Sequence, residues 1–311
     1  MKASVFIDGA AGTTGLEIAE RLSGREEFAL VTLADERRKD DAARAEALNS
    51  ADFVILCLPD DAAKAAVAMI ENPSVRVIDA SSAHRVAPGW CYGFPEVTGR
   101  KAVAGARLVS NPGCYPTGFI GLIAPLVHGG LLPADWPYVC HAVSGYSGGG
   151  KALIARFEDS AQAGTDIAFR AYGLGLGHKH VAEMGLHTGL SRPPVFAPAV
   201  VPAYRGMLLE VPLPLAAIPG AARPDSLRAC LAEFYAGSPI VTVQDDSPDE
   251  LLLRRSTAPG DRLDLHVFGA ADGSEARLVA LLDNLGKGAS GAAVQNLNLM
   301  AGLSETAGLR L

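Results

Sequence analysis

Short apolar runs alternate with amphipathic, alanine-rich stretches through the first third of the chain. Residues 3–7, 28–33, 53–58 and 76–78 read as strands, with helices over 15–22, 37–48 and 61–70 between them. Such alternation predicts a doubly wound parallel sheet, because parallel neighbours need a crossover connection. A further strand over 107–111 ends at Pro112-Gly113. Beyond Cys114 the rhythm changes. An apolar helix over 117–127 leads to a strand at 138–143 and helices at 151–163 and 180–188. Strands follow at 195–201, 207–213 and 263–268, with a helix at 226–235. The last strand, 276–282, runs into an Ala-, Gly- and Asn-rich helix from 289 to 311. Long strands with hairpin-length connections suggest a mixed second sheet. The expected fold class is α/β: a Rossmann-type doubly wound parallel sheet plus an α+β domain with a mixed sheet.

Composition narrows the function classes. A chain of 311 residues suits two domains, and 49% hydrophobic residues suffice for sizeable cores. The 27 Lys and Arg against 34 Asp and Glu give a net charge of −7 with no basic block, which excludes nucleic acid as the main partner. The most apolar longer stretch, 117–132, contains Pro125, His128 and four glycines. It falls short of the roughly 20 residues a membrane-spanning helix needs. The opening apolar stretch is broken at Asp8 and is not expected to be a secretory leader. Cys57, Cys91, Cys114, Cys140 and Cys230 are odd in number and lack metal-type spacing, so they read as reduced thiols in a cytoplasmic protein.

Two loops carry candidate chemistry. The first is Gly9-Ala10-Ala11-Gly12-Thr13-Thr14-Gly15, between the first strand and the first helix. Glycines there permit a tight turn and close approach of a pyrophosphate, which the helix N-terminus then receives. After the second strand, Asp35-Glu36 could hold a ribose 2′-hydroxyl, whereas Arg37-Arg38-Lys39 could hold a 2′-phosphate. The basic triplet favours NADP(H); a solvated helix start is the plain alternative.

The second loop is Ser110-Asn111-Pro112-Gly113-Cys114-Tyr115-Pro116-Thr117-Gly118. Pro116 suits a first helical turn, which places Cys114 at a helix N-terminus, where a thiolate is favoured. A nucleophilic thiolate beside a dinucleotide fold can form a thioester that accepts hydride and collapses to an aldehyde. Such a site needs a proton shuttle, and His178-Lys179-His180 with Glu183 supplies two imidazoles. No third ligand at a convincing spacing accompanies them, so no metal is expected.

These residues resemble the N-acetyl-gamma-glutamyl-phosphate reductases, NADP-dependent enzymes of arginine biosynthesis, in their short form. The Cys114 loop looks like the family's active-site signature, and Gly9 to Gly15 is similar to its cofactor loop. Asp79-Ala-Ser-Ser-Ala-His-Arg85, Tyr92-Gly-Phe-Pro-Glu96, Gly145-Tyr-Ser-Gly-Gly-Gly150, His178-Lys-His180 with Glu183, and Lys287 to Asn296 match further segments in order. Ala83, Ala182 and Ala292 depart from the family pattern.

The resemblance implies Cys114 as nucleophile and His180 as general base and acid, with His178 in reserve. It implies cofactor contacts from Gly9, Gly12, Thr13, Thr14, Gly15, Arg37, Arg38, Ser81, Ser147, Gly148 and Asn284. Arg85, Asn111 and Arg205 are the expected substrate ligands, because guanidinium forks suit a carboxylate and an acyl phosphate. Residues 1–114 and 289–311 are expected to form the NADP-binding domain, and 115–288 a catalytic and oligomerisation domain of a homodimer or homotetramer. Three alternatives stay open: aspartate-semialdehyde dehydrogenase, a lysine-pathway reductase of a longer acyl phosphate, and a catalytically silent NADP-binding protein.

Overall fold

The computed structural model describes residues 2–159 and 166–311. The chain divides into two compact units, Met1–Pro112 with Ala289–Leu309, and Gly113–Gly288 with Arg310–Leu311. In the first unit β1 (Ala3–Asp8), α1 (Thr13–Leu22), β2 (Phe28–Val31), α2 (Asp41–Ser50), β3 (Phe53–Leu56), α3 (Asp60–Ala68) and β4 (Arg76–Asp79) alternate. The two-residue strand β5 (Cys91–Tyr92) and helices α4 (Pro95–Thr98) and α5 (Arg100–Gly105), none of them expected, precede β6 (Leu108–Ser110). The six strands pair in parallel in the order β2-β1-β3-β4-β6-β5.

The helix expected over 37–48 is interrupted. Asp35–Arg37 forms a separate tight turn, and α2 starts at Asp41 because the Asp40 carboxylate accepts from the Ala42 and Ala43 N–H groups. Alternate strand residues feed the two faces of the sheet. Val5, Ile7, Phe53 and Ile55 pack with Ile18 and Leu22 of α1, whereas Phe6, Val54 and Leu56 pack with Ala47, Leu48, Ala63 and Ala66 of α2 and α3.

The second unit contains α6 (Cys114–His128), β7 (Val139–Gly145), α7 (Gly150–Glu158), β8 (Arg170–Ala171), α8 (His180–Thr188), β9 (Val195–Val201) and β10 (Met207–Leu213). It continues with α9 (Pro224–Phe234), β11 (Val241–Val243), β12 (Leu263–Gly269) and β13 (Ala276–Leu282). Its sheet is mixed, ordered β11-β12-β13-β10-β7-β9-β8, with β11–β12 and β7–β9 parallel and the other pairs antiparallel. The far end of the helix expected over 151–163 lies outside the described residues.

Helix α6 starts three residues before the expected position, so the boundary expected after Cys114 falls instead between Pro112 and Gly113. Its Phe119, Ile120, Leu122, Ile123 and Leu126 are fully buried. Gly118 lets it approach the sheet closely, since an added Cβ would lie 3.2 Å from the Ala280 Cβ. Pro125 sits inside the helix and offers no N–H to the Gly121 carbonyl one turn earlier. The Tyr235 hydroxyl donates to that carbonyl instead, at 2.8 Å.

A wide π-type turn, Gly286–Ser290, then leads into α10 (Gly291–Met300). This helix completes the first unit, placing Ala293, Val294, Leu297 and Met300 against the α1 face of its sheet. Among the described residues no helix is long and apolar enough to cross a membrane, and no three His, Cys, Asp or Glu side chains group as a metal site.

Candidate active site

In the first unit the glycine loop is shaped by its surroundings. Gly9 has φ +87°, and a Cβ there would come within 2.3 Å of the Cys57 carbonyl oxygen. One on Gly15 would lie 2.6 Å from the Gly9 carbonyl oxygen. Gly12 caps α1, so Thr13 and Thr14 form the first turn whose N–H groups point out of the helix. The Thr13 hydroxyl is buried with no hydrogen-bond partner in the protein. A cradle without room for side chains, a helix N-terminus and an orphaned donor together fit a dinucleotide pyrophosphate.

Beside the loop a cavity of about 360 Å³ opens at the ends of β1 and β2. Its lining includes Asp8, Gly9, Thr32, Arg38, Lys39 and Arg44. Arg38 and Lys39 thus stand where a 2′-phosphate could be met. Arg37 does not line this cavity; it reaches Glu46, 3.7 Å away on the exposed surface. The Asp35 side chain lies outside the described residues. Arg44, which carried no expectation, donates to the buried Asp8 carboxylate at 2.9 Å. That bond outweighs burial and raises the Arg44 pKa.

Ser81, at the end of β4, donates through both its N–H (2.9 Å) and its hydroxyl (2.7 Å) to Asp79. His84 meets the same carboxylate at 2.6 Å and stacks on Trp90. The Arg85 guanidinium is buried and donates to the Asn111 and Ala80 carbonyls at 2.9 and 3.1 Å. The Asn111 amide donates to the Ala289 carbonyl and accepts from Asn296, both at 3.0 Å. These bonds give Arg85 and Asn111 a structural duty.

In the second unit Cys114 is the first residue of α6, half-buried, behind the cap residue Gly113. Free N–H groups at a helix start stabilise an anion there. The Gly113 N–H donates to Glu183 Oε2 at 3.2 Å, and Glu183 Oε1 stands 4.0 Å from His180 Nε2. One buried carboxylate therefore lies between the first turn of α6 and the imidazole. The Tyr115 ring lies 5.8 Å from the His180 ring and 6.2 Å from that of His178. Burial above all, then the neighbouring Tyr172 phenol and the Cys114 sulfur, holds the Tyr115 hydroxyl far above its ordinary pKa. His178 Nδ1 accepts from the His180 N–H at 3.1 Å, which ties it up as an acceptor. The sequence pattern alone assigns Glu183 no role.

Ser147, Gly148 and Asn284 converge. The Asn284 amide donates to the Ser147 hydroxyl and accepts from the Gly206 N–H, each at 2.9 Å, and a Cβ on Gly148 would lie 3.3 Å from the Asn284 amide nitrogen. Next to Asn284, Asp283 accepts from Arg205 at 2.7 Å. A Cβ on Gly288 would lie 2.9 Å from the Cys114 Cβ, so the turn after β13 passes directly behind Cys114.

Residues 4–106 match the semialdehyde dehydrogenase NAD binding domain, and residues 114–284 the semialdehyde dehydrogenase dimerisation domain. Solved structures share the fold: aspartate semialdehyde dehydrogenase from Francisella tularensis has a TM-score of 0.71 at 12% identity, over 96% of this chain and 99% of its own. Much closer in sequence is the N-acetyl-gamma-glutamyl-phosphate reductase of Burkholderia ambifaria, 51% identical over 305 residues and 96% of each chain. The N-acetyl-gamma-glutamyl-phosphate reductase 2 of a Nostoc species is 48% identical over 320 residues and 99% of each chain. With relatives of this identity along nearly its whole length, and with the Cys114, His180 and glycine-loop segments in place, the chain belongs to the N-acetyl-gamma-glutamyl-phosphate reductase family.

Proposed function

We propose that this enzyme reduces N-acetyl-L-glutamyl 5-phosphate to N-acetyl-L-glutamate 5-semialdehyde and phosphate, the reaction for which its relatives are named. The observation that carries the reading is the placing of Cys114 at the start of α6 with Glu183 joining that turn to His180. Cys114 Sγ attacks the γ-carbonyl as His180 takes the thiol proton, and phosphate leaves from the tetrahedral adduct to give a thioester. Backbone N–H groups at the start of α6 meet the oxyanion. The hydride for this thioester is what NADPH would supply when bound. When the aldehyde is released, His180 returns the proton to sulfur. The glycine loop, Thr13 and Thr14 receive the cofactor's pyrophosphate, Arg38 its 2′-phosphate, and Ser147, Gly148 and Asn284 shape the nicotinamide side. Arg37 and Ser81 are further cofactor residues in this reading. Arg205, with Arg85 and Asn111, serves the substrate's anionic groups. The unit containing 1–112 and 289–309 is the cofactor domain, and the other is the catalytic and oligomerisation domain of a homodimer or homotetramer in the cytoplasm.

The reaction is most easily tested in reverse. Purified protein given N-acetyl-glutamate semialdehyde, phosphate and NADP should produce NADPH, faster than with NAD or with the one-carbon-longer lysine-pathway semialdehyde. Absence of a phosphate-dependent signal overturns the reading. Light scattering of the same preparation reports the oligomeric state.

A further inference from the structure

The end of β13 carries a side chain that the reaction above does not use. Asp283 is 5% exposed and has both oxygens committed. Oδ1 accepts from the Leu285 N–H at 2.9 Å; Oδ2 accepts from the Gly260 N–H at 3.2 Å and from Arg205 Nη1 at 2.7 Å. The two backbone bonds stop the carboxylate from turning. Its surroundings are equally fixed, since a Cβ on Gly286 would collide with the Gly260 carbonyl and Asp261 exchanges two backbone-mediated bonds with Arg310.

The base of Arg205 is held as well. A Cβ on Gly145 would lie 2.8 Å from the Arg205 Cα, the Tyr146 and Ser147 N–H groups donate to the Ala203 and Tyr204 carbonyls, and the Gly206 N–H donates to Asn284. A guanidinium is a rigid planar fork, so fixing the chain at its base and one nitrogen at its tip fixes the plane of all five donors.

We propose that Asp283 is a positioning residue for substrate recognition: its immobile carboxylate sets the plane in which the Arg205 guanidinium meets an anionic group of the acyl phosphate. The inference rests on reading Arg205 as a substrate ligand. A competing carboxylate beside an anion-binding arginine is otherwise a liability, because it reduces the net charge offered to the substrate. Orientation is the gain that offsets it.

The test compares Asp283→Asn, Asp283→Glu, Arg205→Lys and the double variant Asp283→Asn/Arg205→Lys in the phosphate-dependent oxidation of N-acetyl-glutamate semialdehyde, with NADP affinity measured by calorimetry. Asp283→Asn should raise the KM for the semialdehyde about 10-fold, with kcat changed less than about 3-fold and NADP binding unaltered. The double variant should be little worse than Arg205→Lys alone, as expected of residues acting through one another. An unchanged or lowered KM in Asp283→Asn, or effects that multiply in the double variant, overturns the proposal. If Asp283→Asn does not fold, Asp283→Glu decides: a raised KM with intact NADP binding supports it, and a parallel loss of kcat and NADP binding overturns it. An Arg205→Lys variant with unchanged KM removes Arg205 from the substrate site, a result distinguishable from failure at Asp283 alone.

Discussion

Five cysteines share this chain, and their surroundings separate them. Burial pushes the Cys57 thiol up to about 12 and the Cys140 thiol well above its ordinary value; it also raises Cys91 and Cys230. At pH 8 a thiol of pKa 12 is ionised in only about one molecule in 10,000. Iodoacetamide at that pH should therefore modify Cys114 first, with activity lost in step, as peptide mass spectrometry can follow. Faster labelling of Cys91 or Cys230 would contradict the assignment of the nucleophile. Glu183→Gln keeps the shape of the side chain but removes the charge between His180 and the α6 turn. Its kcat should fall roughly 100-fold with substrate KM little changed, since the proton shuttle loses its partner. Some of the geometry at this scale was legible in the sequence. Asn284 lies 137 positions from Ser147 yet meets it and Gly148 in space, and Cys114 sits at a helix N-terminus. Arg44 was not readable, because a charge on a polar, alanine-rich helix looks like any solvated residue until its Asp8 partner is seen. Asp283 was missed for a related reason: nothing in its neighbours says which way a carboxylate at a strand end will turn.

Elements were legible where the apolar pattern is long. Helix α8 and strands β9, β10 and β13 occupy the expected residues, because seven or more consecutive positions carry each pattern. Strands β5 and β8 have two residues each, too few for any periodicity to register. Pro116 marks the first turn of α6, but the apolar pattern itself registers only from Thr117, so the expected start falls three residues late. The same helix shows how an interior proline is tolerated. Tyr235→Phe would leave the Gly121 carbonyl without its buried donor, costing about 1–3 kcal/mol. A chemical denaturation midpoint lowered accordingly, with KM unchanged, is the expected result; an unchanged midpoint would show that the hydroxyl does not compensate for Pro125.

At the scale of the whole molecule, the first unit is made from two separated pieces of chain. Residues 1–112 contain the entire parallel sheet, but Val294, Leu297 and Met300 of α10 supply part of the core on its α1 face. A fragment of residues 1–112 should lack a cooperative thermal transition, and joining 289–309 to it through a flexible linker should restore one, as circular dichroism would show. Cooperative melting of the shorter fragment alone would mean that α10 is dispensable. The arrangement also sets a timetable. At roughly 5–20 residues per second, a ribosome that has finished residue 112 needs on the order of 10–40 s more to finish 289–309. Throughout that interval the face of the nascent sheet that α1 covers lacks Val294, Leu297 and Met300, which leaves part of its core open to solvent or to a chaperone. The segment synthesised first is therefore among the last to mature, and cofactor capture waits on the end of translation.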